Sequence, residues 1–133
     1  MLEPEVENAF IQKVGSKPSS ICWLVTDLPK DALKCVIAEI TGNFKKRDYE
    51  YVGPWFLAHV HDEELSTRMM FAVDGRSEIY VAAKGEHANK ATRAIMYDIK
   101  EIIKKQISCM DNSPKSFIPF QPGSDVYRPE RYD

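Results

Sequence analysis

Cysteine is scarce in this chain: there are three, Cys22, Cys35 and Cys109, an odd number with no CxxC pair. That excludes a disulfide framework and a zinc ribbon, and it fits a reducing compartment, cytoplasmic or nuclear. Cys22 and Cys35 sit among apolar neighbours and read as small core residues. No apolar run approaches the ~18 residues of a membrane helix. The first residues, MLEPEVENAFIQK, are acidic where a secretory signal would be basic and then apolar. An excess of positive charge is also missing, since the formal net charge is −2, so there is no global sign of nucleic-acid binding. There is no glycine-rich phosphate loop, no nucleophile elbow and no internal repeat.

What is present suits one α+β domain. The 133 residues are 44% hydrophobic and 29% charged, ordinary values for a folded chain of this length. Residues 3–14 carry a helical pattern through Val6, Phe10 and Val14, with Pro4 in the first turn and Gly15 as a stop. Ile21 to Val25 is a short strand. Asp27 and Pro29 open a second helix whose stripe is Leu33, Val36, Ile37 and Ile40, ended by Gly42. Lys45 to Asp48 reads as a polar connection. Strands are expected at Tyr51 to Val60, Met69 to Val73 and Glu78 to Ala83, the last two joined by an Asp74-Gly75 hairpin. A long helix from about Glu86 to Met110 presents Ala91, Ile95, Ile99, Ile102, Ile103 and Ile107 on one face. The expected domain therefore covers residues 1–110. Residues 111–133, with Pro114, Pro119, Pro122 and Pro129, read as an extended tail in which Phe117, Ile118 and Phe120 could dock.

The order helix, strand, helix, three or four antiparallel strands, helix gives a two-layer sandwich with helices on one sheet face. The strands do not alternate cleanly between apolar and polar. Phe56, Ala58 and Val60 point one way and Trp55, Leu57 and His59 the other. The face away from the helices therefore keeps apolar groups, expected around Phe56, Met69 and Phe71. Each large side chain there is worth about 1.5–3 kcal/mol when covered. The first helix, the tail, a second subunit or a ligand would cover it. The long helix carries a second stripe, Lys90, Arg93, Tyr97, Lys100 and Lys104, suited to solvent or to an acidic partner.

From about Ser20 to Ile107 this pattern resembles one repeat of the TATA-binding protein fold. The likeness is closest at Thr67 to Lys84, TRMMFAVDGRSEIYVAAK, followed by a helix. The resemblance implies a non-enzymatic binding protein whose open sheet face enters the DNA minor groove. Phe56 and Phe71 would be the wedges, Met69 part of the apolar face, and Arg68 and Arg76 phosphate contacts. It implies a homodimer, because the family carries two repeats and this chain one, and double-stranded DNA as a partner. The helix stripe would then dock a protein partner. No cofactor is implied. A protein-interaction module without nucleic acid is the alternative. In addition, His59-Val60-His61 on one strand with Tyr97 and Lys100 on a helix resembles the HUH single-strand nucleases. There His59 and His61 would bind metal and Tyr97 would attack DNA.

Overall fold

The computed structural model describes residues 2–74, 77–111 and 130–132, with side chains described as far as Ile107. The chain runs α1 (Pro4–Val14), β1 (Ser20–Val25), α2 (Lys30–Thr41), β2 (Lys46–Val52), β3 (Trp55–Asp62), β4 (Thr67–Val73), β5 (Glu78–Gly85), α3 (Ala88–Asp111) and β6 (Glu130–Tyr132). The strands form one sheet in the order β2-β3-β4-β5-β1-β6, and every pairing is antiparallel. Gly75, Arg76 and the expected docking residues Phe117, Ile118 and Phe120 lie outside the described residues, although β6 returns to pair with β1.

The helices form where their apolar spacing and ends require it. Pro4 starts α1, and Gly15 ends it with φ +97° while its N–H donates to the Ile11 carbonyl at 2.7 Å. In α2 the whole expected stripe, Leu33, Val36, Ile37 and Ile40, is buried. In α3, Ala91, Ile95, Ile99, Ile103 and Ile107 are buried and Ile102 packs beside them.

Helices α2 and α3 lie on one face of the sheet and make the two-layer sandwich. Their core includes Cys22, Leu24, Phe56, Ala58, Val60, Met69, Phe71, Val73, Ile79 and Val81. The opposite face is covered by α1. There Leu2, Val6 and Phe10 pack on Ile21, Trp55, Leu57, Met70, Ala72, Tyr80 and Ala82. The Trp55 indole N–H donates to Glu5 Oε1 at 3.0 Å, tying the start of α1 to β3.

Four expectations need correction. Phe56, Met69 and Phe71 do share a face, but it is the face under α2 and α3, where Phe56 is 9% exposed and Phe71 0%. Alternation fixes which residues share a face, not which face the helices take. The expected single strand Tyr51 to Val60 is two strands, parted by a turn at Gly53, whose φ is +58°. The supposed polar connection at Lys46 to Asp48 is the start of β2. Cys22 is buried but Cys35 is exposed.

Candidate functional site

Eleven residues of α1 reach about 16 Å at 1.5 Å per residue, so α1 shields only part of the face it packs on. Past its end, at Lys13 and Val14, the same face turns polar. In the β2–β3 register Lys46 faces His61 and Asp48 faces His59. In β3–β4 His61 faces Arg68, and in β4–β5 Arg68 faces Lys84. Cross-strand partners share a face, so Lys46, His61, Arg68 and Lys84 form one row over four strands. At the usual strand spacing the row is about 14 Å long.

Three members of this row, Lys46, Arg68 and Lys84, are exposed and His61 is half-buried. Lys46 makes an exposed pair with Glu63 at 3.4 Å. Arg68 and Lys84 make no ion pair among the described residues. Like charges directly opposite each other destabilise a sheet. Folding alone therefore gives no reason to set Arg68 against Lys84.

Beside the row is an open cavity of about 300 Å³ lined by Lys13, Val14, Lys46, Arg47, Asp48, His59, Val60, His61, Arg68 and Met69. Lys13 pairs with Asp48 and holds its carboxyl below the ordinary carboxylate value. His59 is 5% exposed, and its Nε2 lies 2.7 Å from Glu50 Oε2. With a carboxylate as partner, Nε2 is assigned the proton and donates, which leaves Nδ1 bare in the neutral ring. Nδ1 is buried and makes no hydrogen bond among the described residues.

Burial pushes the His59 imidazolium below its ordinary 6.5, outweighing the opposing pull of Glu50. Of the other charged neighbours, Lys13 lowers it further and Asp48 raises it. A lowered value in the fold means the unfolded chain takes the proton first as pH falls. Stability should decline as pH drops through about 6.5 and level off once His59 is protonated in the fold. His59→Gln should flatten the change in urea midpoint between about pH 7.5 and about pH 5.5. An unchanged slope would show that His59 is not the titrating group.

Comparison with known protein families, curated proteins and solved structures finds no match to this chain. Of the residues expected from sequence, Arg68 lies in the basic row, and Arg76 is outside the described residues. Phe56, Phe71 and Met69 are core residues, beyond the reach of a base step. His59 and His61 share the α1 face, whereas Tyr97 and Lys100 belong to α3, which packs on the opposite face. The nuclease constellation is therefore not assembled. Among the described residues no three His, Cys, Asp or Glu side chains converge as metal ligands. On α3, Lys90, Arg93, Tyr97 and Lys104 are exposed and Lys100 is half-buried, with Tyr97 63% exposed.

Sequence reasoning missed Lys46 and Lys84 as members of this site. Lys46 stood in what read as a connection, and Lys84 between the end of the expected last strand at Ala83 and the last helix. Only the sheet register brings them level with Arg68.

Proposed function

We propose that this chain is a non-enzymatic binding protein that holds nucleic acid by its phosphates, using the end of the sheet that α1 leaves uncovered. The observation that carries the reading is the row Lys46, His61, Arg68 and Lys84, in which the cations Arg68 and Lys84 face each other directly across paired strands. A phosphate backbone would neutralise these charges and release condensed counterions, the main source of sequence-independent affinity. The order strand, helix, four strands, helix in β1 to α3 is the one expected of a single TATA-binding-protein repeat, and it supports the reading as a likeness only. The mechanism differs from wedge insertion, because Phe56 and Phe71 are core side chains. On this surface the backbone is gripped and base steps are left stacked.

The test is a titration of fluorescein-labelled duplex and single-stranded oligonucleotides at low and moderate salt. Arg68 and Lys84, the row members that make no ion pair among the described residues, predict a log–log salt slope of about −2 on duplex for each copy of the chain. Arg68→Ala with Lys84→Ala should weaken binding tenfold or more and flatten that slope by about two. Both side chains are exposed, so the double variant should fold normally. Affinity and slope equal to those of the unaltered chain would end the proposal.

A second surface supports a protein partner. The exposed Lys90, Arg93, Tyr97 and Lys104 on α3 face away from the sheet, and their charge suits an acidic partner.

A further inference from the structure

The two edges of the sheet are treated differently. On the β1 side the three-residue β6 pairs with Ile21 to Trp23, whereas no strand among the described residues pairs with the outer edge of β2. Six of the seven β2 residues are exposed, and Val52 is half-buried. Two of them, Tyr49 and Tyr51, are large aromatics left 41% and 59% exposed. They lean on Phe56, with ring centroids 5.9 and 5.4 Å away, on the side of α2.

An edge strand is usually blunted by charge, which discourages pairing with other chains. In β2 the charges are sorted instead. Lys46 and Arg47 come first, directly after Lys45, and Tyr49, Glu50 and Tyr51 come last. Antiparallel pairing of such a strand with itself lays the basic half against the acidic and aromatic half. We infer that β2 is a homodimer interface, in which its free edge pairs antiparallel with β2 of a second copy of this chain.

The charges also distinguish between the two registers nearest the middle of β2. A two-fold axis normal to the sheet must pass between the two copies of one residue, so that facing side chains lie on the same side. Centred on Tyr49, the pairing would set Asp48 against Glu50 twice, which like charges disfavour. Centred on Asp48, it sets Lys46 against Glu50 twice and Arg47 against Tyr49 twice. Lys46 and Glu50 both lie on the α1 face, with side chains 64% and 42% exposed. Arg47 over Tyr49 gains a cation–aromatic contact on the other face. The two central Asp48 carboxylates are each held by the Lys13 of their own copy.

This inference does not rest on nucleic-acid binding. It would nevertheless place the basic rows of both copies on the same face of one continuous sheet, because the axis is normal to that sheet.

Molar mass by light scattering, over a range of concentrations and without nucleic acid, tests it. The unaltered chain should have twice the 15.2 kDa mass of one copy. Lys46→Glu alone and Glu50→Lys alone should each give monomers, and the two combined should restore the dimer. Glu50→Lys also removes the partner of His59, so circular dichroism should verify its fold. Within the fold Lys46→Glu breaks just the exposed Glu63 pair, and because mass is measured without nucleic acid the place of Lys46 in the basic row does not enter, so this variant carries the test by itself. A monomeric unaltered chain, a dimer indifferent to Lys46→Glu, or a folded double reversal that stays monomeric would each overturn the inference.

Discussion

Replacing Phe10 by alanine is expected to destabilise the chain by about 3–5 kcal/mol, the usual range for emptying a buried phenylalanine site. That is a large share of the ~5–15 kcal/mol that holds a domain folded. Phe10 is fully buried between α1 and the sheet, in the cluster that contains Trp55, Leu57, Met70 and Ala72. The only other buried α1 side chain is Val6, with Leu2 just ahead of the helix. Losing the ring therefore weakens the seal over a whole sheet face. Leu57, Met70 and Ala72 would meet water if α1 lifted, and each is fully buried now. The measurement is the urea midpoint and slope against a Gln12→Ala control. Gln12 is exposed, so its change should stay within about 0.5 kcal/mol. A loss under 1 kcal/mol for Phe10→Ala would mean that α1 is not seated on the sheet as described.

Much of this fold was legible because helices and central strands announce themselves by burial. The α2 stripe lies inward at every expected position, and the α3 stripe departs only at Ile102, which is partly buried. β4 and β5 lie where their apolar runs placed them. The strand that went unread is the one with least to bury. β2 has no fully buried residue, its one apolar face is only the half-exposed Tyr49 and Tyr51, and Tyr51 was assigned to the strand after it. An edge strand is specified by its single neighbour, through pairs such as Tyr49 with Ala58, rather than by its own pattern.

The surplus apolar face was also legible, but its side was not. Phe56, Ala58 and Val60 do share a face with Val73, Phe71 and Met69, as period two requires. Which side receives α3 depends on the path of the chain out of β5, and strand alternation holds no record of that path. The basic row was hidden for the same kind of reason. Its four members come from four strands and become neighbours only through three successive registers.

Gly85→Ala tests that register where the row ends, and its expected cost is about 3 kcal/mol, from backbone strain combined with overpacking. Gly85 pairs with Thr67, next to the Arg68–Lys84 pair, and has φ +151°. A Cβ built there would lie 2.5 Å from the Ser66 carbonyl oxygen and 2.9 Å from Thr67 Cα. Both are backbone atoms, so no side-chain rotation relieves the clash, and the end of β4 must move away from β5. Two other glycines calibrate the effect. Gly15 has φ +97° but open space around its Cβ position, so Gly15→Ala should cost only the conformational strain, about 1 kcal/mol. Gly42 has ordinary helical angles, φ −60°, and a 3.1 Å approach to the Ala38 carbonyl, so Gly42→Ala should cost least. Thermal midpoints should therefore fall in the order Gly85, Gly15, Gly42, from largest loss to smallest. Because Arg68 and Lys84 sit one residue from the clash, Gly85→Ala should also weaken oligonucleotide binding at temperatures where the variant remains folded. Gly15→Ala and Gly42→Ala should not. If Gly85→Ala were as stable as Gly42→Ala, the Thr67–Gly85 register would be wrong, and with it the alignment of Lys84 opposite Arg68.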